Sequence, residues 1–349
     1  MLPLIADWLG DVFGPLRLFQ SHFFLAAFGA ATGALLSFWL LPRWWNRLPR
    51  DRGRAHAVGS EASVGKPMGA GVIFVPVFAL LALLIAPLEW PWLVVIGCVL
   101  GSMLVGFFDD RVDGGYSEYL LGAFDLVVSV LVAAAVCGVA PFELWLPLIS
   151  APWTVPAWLF IAGGAVLVWT CINATNATDG VDGLSGSLSM ISLLALGAIL
   201  YIMVGHREIA TYLLVPHYPA APDWALLAFI MAGCLAAYLW YNSHPSQVLM
   251  GDAGSRPIGL LVGVLVLASG NPFLVLVVAG VVLLNGGTGL VKVALLRFFR
   301  IGIFGNVRFP LHDHVRQRLS WSNTQVMVRF VLVQALGLML LMVLLFKLR

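Results

Sequence analysis

Long runs of apolar residues, broken at nearly regular intervals by short polar clusters, set the character of this chain. A membrane-crossing helix needs about 20 consecutive apolar residues. On that measure the pattern predicts spans near 20–42, 69–87, 91–107, 121–139, 156–173, 184–204, 223–241, 257–269, 272–297 and 327–347. The prediction is an all-α polytopic membrane protein of ten transmembrane helices, the eighth of them short. No internal repeat or low-complexity linker divides the chain, so residues 1–349 read as one integral domain. Within it, 1–19 reads as an interfacial N-terminal segment, because Asp7 and Asp11 accompany a single cation, Arg17, unlike the basic start of a secretory signal.

Composition strengthens this picture. Of 349 residues, 61% are hydrophobic and only 10% charged, which excludes an ordinary water-soluble domain. The net charge of +2 hides an asymmetry. Most Lys and Arg fall in connections on one face: Arg43 to Arg54, Lys66, Arg111, Arg256, and Arg297 to Arg329. Arg17, Arg207, Lys347 and Arg349 fall on the other face, and Lys292 lies within a span. The basic face is expected to be cytoplasmic, which leaves both termini outside. The bilayer is the partner this implies, and no nucleic acid is expected. Cys98, Cys137, Cys171 and Cys234 sit in or beside apolar runs without C-x-x-C spacing, so they read as packing residues.

The connections 43–68, 108–120, 174–183, 242–256 and 298–326 hold nearly every unusual polar cluster. Asp109, Asp110, Asp113, Glu118, Asp179, Asp182, Asp252 and Asp313 all lie there, and only Asp125 is clearly within a span. A transporter usually keeps its essential carboxylates near mid-membrane, where each costs about 2.5–3.5 kcal/mol on insertion scales. This distribution favours chemistry at the membrane surface instead. The scattered candidates Asp125, Asn285 and Lys292 are all that a transporter or lipid-handling reading has to offer.

Each cluster has a chemistry and a plainer rival. In "GFFDDRVD", Asp109 and Asp110 diverge by about 100° on a helix while Asp109 and Asp113 share a face, which suits either a Mg²⁺ site or a charged helix end. "QVLMGDAGSRPIG" offers Asp252 and a Gly-rich turn into a helix that Pro257 can start. "NATNATDGVDGL" carries Asn173, Asn176, Asp179 and Asp182, more polar groups than one helix cap needs, with glycines that predict a broken helix wrapping around a ligand. Lys66 in "GKPMGAG" suits phosphate as a point charge, although a snorkelling lysine explains it too. "RFPLHDHVRQRLSW" sets His312 and His314 around Asp313 among Arg308, Arg316 and Arg318. That spacing is poor for zinc and better for phosphate. His22, His56, His206, His217 and His244 need no special role.

Taken together, the motifs resemble the polyprenyl-phosphate N-acetylhexosamine-1-phosphate transferase superfamily, nearest to its phospho-N-acetylmuramoyl-pentapeptide transferase branch. The resemblance runs from Lys66 to Arg329 with "DD", "NxxNxxDGxDGL", "YNSHPSQVLMGDAGS" and "PLHDH" in the family order. It implies a Mg²⁺-dependent enzyme of the bacterial inner membrane, ten helices, a UDP-linked N-acetylhexosamine donor and undecaprenyl phosphate as acceptor. Carried over by residue, it makes Asp252 the main metal ligand with Asp109, and makes Asp109, Asp110 and Asp252 the catalytic carboxylates. Lys66, Asn173, Asn176, Asp179, Asp182, Asn242, His312 and His314 would bind substrate. A homodimer is the default assembly. Departures from the family pattern are Asp313 for the middle histidine, Leu249 for a uracil-stacking Phe, Asp113 for a Lys, and no Lys near 123. "DDRVD" looks more like the branch that uses UDP-N-acetylglucosamine, which is the alternative donor. A non-catalytic relative is a further alternative.

Overall fold

The structure is a computed structural model and describes residues 1–53, 63–146, 149 and 151–347. Arg54, His56 and Arg349 lie outside the described residues. A short amphipathic helix, α1 (Leu2–Leu9), and a 3₁₀ turn, Gly14–Gln20, precede the bundle. The helices α2 (His22–Trp44), α3 (Gly71–Ile85), α4 (Trp90–Arg111), α5 (Glu118–Cys137) and α6 (Ala157–Thr178) follow. Next come α7 (Leu184–Ala198), extended by a π turn to Val204, then α8 (Arg207–Leu213), α9 (Ala221–Asn242) and α10 (Asp252–Ala268). The ninth predicted span is broken into α11 (Leu274–Val278), α12 (Gly280–Val282), a π turn (Leu283–Gly287) and α13 (Thr288–Phe299). The chain closes with α14 (Leu311–Leu319) and α15 (Asn323–Lys347).

Eight described helical segments are long and apolar enough to cross a membrane. The other two predicted spans are the shorter α3 and α10. The periodicity misses one feature, a two-stranded hairpin of β1 (Phe142–Leu144) and β2 (Trp153–Val155), paired Phe142 to Val155. The following Trp145 is wholly buried and donates its indole N–H to Ser269 O at 2.8 Å, fixing the hairpin on the end of α10. All four cysteines are free and buried.

Every residue of α10 is buried, so it forms the central rod of the bundle. Without a hydrophobic force between helices in lipid, close approach depends on small residues. A side chain at Gly71 of α3 would collide with the backbone of Ala253, and one at Gly106 of α4 with the backbone of Asp252. The first turn of α10 is therefore gripped between α3 and α4. Helices α2 and α9 make the most extensive pair, through Gly29 and Gly33 against Ile230 and Cys234.

Three local expectations are corrected. Helix α6 continues to Thr178, so Asn173 and Asn176 remain helical and only 179–183 form the turn. Helix α10 starts at Asp252, not at Pro257, because Gly251 turns the chain and Asp110 caps the new N-terminus. Helix α4 stops at Arg111, so Asp113 leaves the face of Asp109 and pairs with Arg52.

Candidate active site

The N-terminal end of α3 and the C-terminal ends of α6 and α9 meet on one face of the bundle. Asn242 ties two of them together: its Oδ1 accepts from Gly183 N at 2.8 Å, and its Nδ2 donates to Val248 O at 2.8 Å. Met68 pairs with Leu249 in a short parallel bridge, with Leu249 N donating to Pro67 O and Ala70 N to Leu249 O. This seats the Lys66 loop beside the 243–251 loop. Helix α14 closes the remaining side, where the ring of His312 packs on Gly180. The result is a cleft of about 350 Å³ lined by Lys66, Asp179, Asp182, Asn242, Leu249, His312, Asp313 and Arg316, among others.

On the cleft wall, Asp182 accepts from Ser246 Oγ (2.7 Å), His244 Nδ1 (2.9 Å) and Ser246 N (3.2 Å). Lys66 Nζ stands 3.9 Å away and donates to Ser246 Oγ at 2.9 Å. Burial pushes the Asp182 carboxyl up, but the hydrogen bonds from Ser246 and His244 and the Lys66 charge outweigh it, so its pKa falls below 3.8. Opposite, Asp313 lies 3.5 Å from Arg316 and 3.7 Å from Arg308. Burial, and then the Arg316 charge, lower the pKa of His312 to about 3. His312 is thus neutral, and its 3.7 Å approach to Asp313 is no ion pair. Asn285 Oδ1 accepts from His312 N at 2.8 Å and its amide also reaches Nδ1, while Asn285 Nδ2 donates to Thr178 Oγ1 at 3.0 Å. Asn285 sits in the π turn, a distortion frequent at functional sites.

Behind Gly251 lies a second acidic group that does not line the cleft itself. Gly251 has φ +69°, and a side chain there would strike Asp110. The Asp110 carboxylate accepts from Asp252 N (3.1 Å) and Ala253 N (3.2 Å), which makes it the cap of α10. Asp109 turns to accept from Tyr116 N. Asp252 Oδ2 accepts from Arg256 Nε at 2.8 Å, and Arg256 Nη1 donates to the wholly buried Asp125 at 2.7 Å. Asn173 points into this helix interface and donates to Asp125 at 3.2 Å. Asn176 donates to Ser255 at 3.3 Å, and His314 Nδ1 accepts from Arg308 N at 3.2 Å.

Of the substrate-binding residues expected from sequence, Lys66, Asp179, Asp182, Asn242 and His312 line the cleft. Asn173, Asn176 and His314 do not. Sequence reasoning missed His244, Ser246 and Asn285 as partners of the site. It also missed the pairing of Arg256 with Asp125. His244 and Ser246 lay within the quoted run around Asn242, but nothing in spacing pairs them with Asp182, which is 62 and 64 positions away.

A many-helix membrane protein with a charged cleft at the helix ends is the class that the geometry defines. The model for Glycosyl transferase family 4 matches residues 92–270, and the chain belongs to that family. It is 47% identical to the phospho-N-acetylmuramoyl-pentapeptide-transferase of Treponema pallidum strain Nichols, over 99% of this chain and 96% of the relative. It is 28% identical to the proteins of that name from Campylobacter curvus (92% of this chain, 94% of the relative) and Rhodopseudomonas palustris (96% and 97%).

Proposed function

We propose that this protein transfers phospho-N-acetylmuramoyl-pentapeptide from its UDP-linked donor to undecaprenyl phosphate, releasing UMP. The observation that carries this reading is the cleft itself, where Lys66, Asp179, Asp182, His312 and Arg316 converge from separate loops on one face of the bundle. The similarity to muramoyl-pentapeptide transferases over nearly the whole chain supports the donor. The departure that points to UDP-N-acetylglucosamine, Asp113, is paired with Arg52 and does not line the cleft, which weakens that alternative.

We infer that the cleft faces the cytoplasm, as the positive-inside bias expects. Met1 lines a cavity shared with Ile85 to Glu89 at the far end of α3, while Asn323 at the start of α15 lines the cleft. With a rise of about 1.5 Å per residue, α15 carries the C-terminal end to the other face as well. This supports both termini outside, in a multi-pass protein of the inner membrane.

A Mg²⁺ requirement belongs to the same proposal. Among the described residues, no three His, Cys, Asp or Glu side chains gather to hold a metal alone. Mg²⁺ needs less, usually one or two carboxylates with waters and substrate phosphate oxygens. The donor set fits that arrangement: Asp252 offers hard carboxylate oxygens directly after Gly251, which lines the cleft, and the lining sets Asp51, Asp179, Asp182 and Asp313 against Lys66 and Arg316. Four carboxylates against two cations are an unfavourable balance for a polyanionic donor without an added cation. When bound, the ion would supply neutralisation of phosphate charge.

The protein's own groups do the rest. Lys66 and Arg316 bind phosphate oxygens from opposite walls, and neutral His312, steadied by Asn285, offers a hydrogen bond without adding charge. A lipid phosphate, already mostly dianionic at neutral pH, attacks the sugar-linked phosphorus. The bond to the UMP oxygen breaks and UMP leaves with the electron pair. No proton need be abstracted, so positioning and charge neutralisation carry the step.

The test is UMP release by purified protein with each donor. The muramyl-pentapeptide donor should turn over, UDP-N-acetylglucosamine should not, and Asp252→Ala should abolish turnover. Undiminished release by Asp252→Ala, or preference for UDP-N-acetylglucosamine, would overturn the proposal.

A further inference from the structure

Arg256 is the most deeply buried cation among the described residues, with its side chain 7% exposed between Asp252 (7%) and Asp125 (0%). Its two contacts run in different directions. The Nε bond to Asp252 lies within α10, four residues apart, whereas the Nη1 bond crosses to α5. Asp125 is itself fixed: Asn173 Nδ2 donates to the same oxygen, and also to Trp169 O at 2.9 Å, while Trp169 Nε1 donates to Gly122 O at 3.0 Å. Helices α5 and α10 are thereby joined through one guanidinium, and α6 joins them through Asn173 at the same Asp125 oxygen.

We propose that Arg256 is a positioning residue for Asp252, with Asp125 as its anchor. Asp110, Gly71 and Gly106 fix the backbone of Asp252 but leave its side-chain rotamer open. Arg256 removes that freedom, because a guanidinium tied to α5 can meet Oδ2 in one orientation only. A sealed group of two carboxylates and one cation is not needed for packing, since apolar residues of similar volume usually stabilise as well or better. The rest of α10, from Ile258 to Ala268, is apolar or small and packs without charge.

The inference rests on the Mg²⁺ reading of Asp252, and the experiment separates the two. Mn²⁺ uptake by the full-length protein in detergent, read by electron paramagnetic resonance, is measured beside the Mg²⁺ dependence of UMP release. Arg256→Lys keeps the charge but not the planar fork that bridges two carboxylates. The double variant Asp125→Leu with Arg256→Met removes the bridge and its anchor together, leaving Asp252 as the only carboxylate of the group. Both variants should bind Mn²⁺ about 10- to 100-fold more weakly, as loss of a group orienting a metal ligand typically does. The Mg²⁺ activation curve should shift to the same extent, with the donor KM at saturating metal unchanged. If Arg256→Lys and the double variant bind Mn²⁺ as the wild type does, Arg256 is only a packing residue and the proposal falls. If wild type takes up no Mn²⁺, or Asp252→Asn binds as well as wild type, the metal reading itself fails and takes the proposal with it.

Discussion

The carboxylates at the root of α10 and those on the wall of the cleft are held in opposite ways. Asp125, Arg256 and Asp252 are buried among three helices, and Arg256 is the partner of both carboxylates. Asp182 instead draws its partners from loops: Ser246, His244 with its side chain 44% exposed, and Lys66 at 23%. In the dry interior a charge must be matched in place, because losing one partner strands the other. At the wall, water can take over a lost contact, so a group there can exchange its protein partner for a ligand oxygen. Burial thus separates the charges that shape the site from those free to bind substrate.

The sharpest way to break this contrast is Asp125→Leu alone. It leaves Arg256 with a single carboxylate and a buried, unmatched contact, at a cost of about 3–5 kcal/mol. Thermal unfolding in detergent should show it as a large loss, and adding Arg256→Met should recover only part of it, because Asp252 then lacks its cation. A single variant as stable as wild type would show that water reaches this interface, and the two regions would no longer differ in kind.

His312 stands between the two cases, since it lines the cleft yet is buried. Its folded pKa, about 3, lies below the ordinary 6.5. Between these values the unfolded chain binds a proton that the folded protein does not. Stability is therefore complete above pH 6.5 and declines as pH falls toward 3, by about 1.4 kcal/mol per pH unit. His312→Gln should melt with a shallower pH dependence between 6.5 and 4.5, since other groups cancel in the comparison. Equal slopes would mean that the imidazole is protonated in the folded protein, which would turn its contact with Asp313 into an ion pair.

Much of this was legible in the sequence, and the limits have physical causes. Apolar runs located the spans because lipid demands about 20 such residues whatever their packing. They said nothing of α10's place at the centre, which depends on Gly71 and Gly106 of other helices. The polar clusters pointed to one face and to Lys66, Asp179, Asp182 and His312. They left open which member of a cluster faces the cleft. Asn176 read as a loop residue and Asn173 as the last of its span, because a polar run with glycines looks like a break, yet α6 carries both into helix interfaces. Asn285 and Asp125 read as isolated polar residues in spans, since their partners His312 and Arg256 are 27 and 131 positions away.

The smallest effect on stability, and the closest test of the wall, is expected from Lys66→Met. Lys66 reaches Asp182 only at 3.9 Å, beside water, so its loss should cost about 0–1 kcal/mol in thermal unfolding. Asp182 keeps Ser246 and His244, and the loop stays in register through the bridge from Met68 to Leu249. Catalysis should not be spared in the same way, because Met retains the apolar stem and removes the one feature suited to phosphate. The donor KM should rise several-fold while the melting temperature hardly moves. A variant that loses stability instead, with KM unchanged, would place Lys66 with Arg256 as a charge committed to the fold, and the division between root and wall would have to be redrawn.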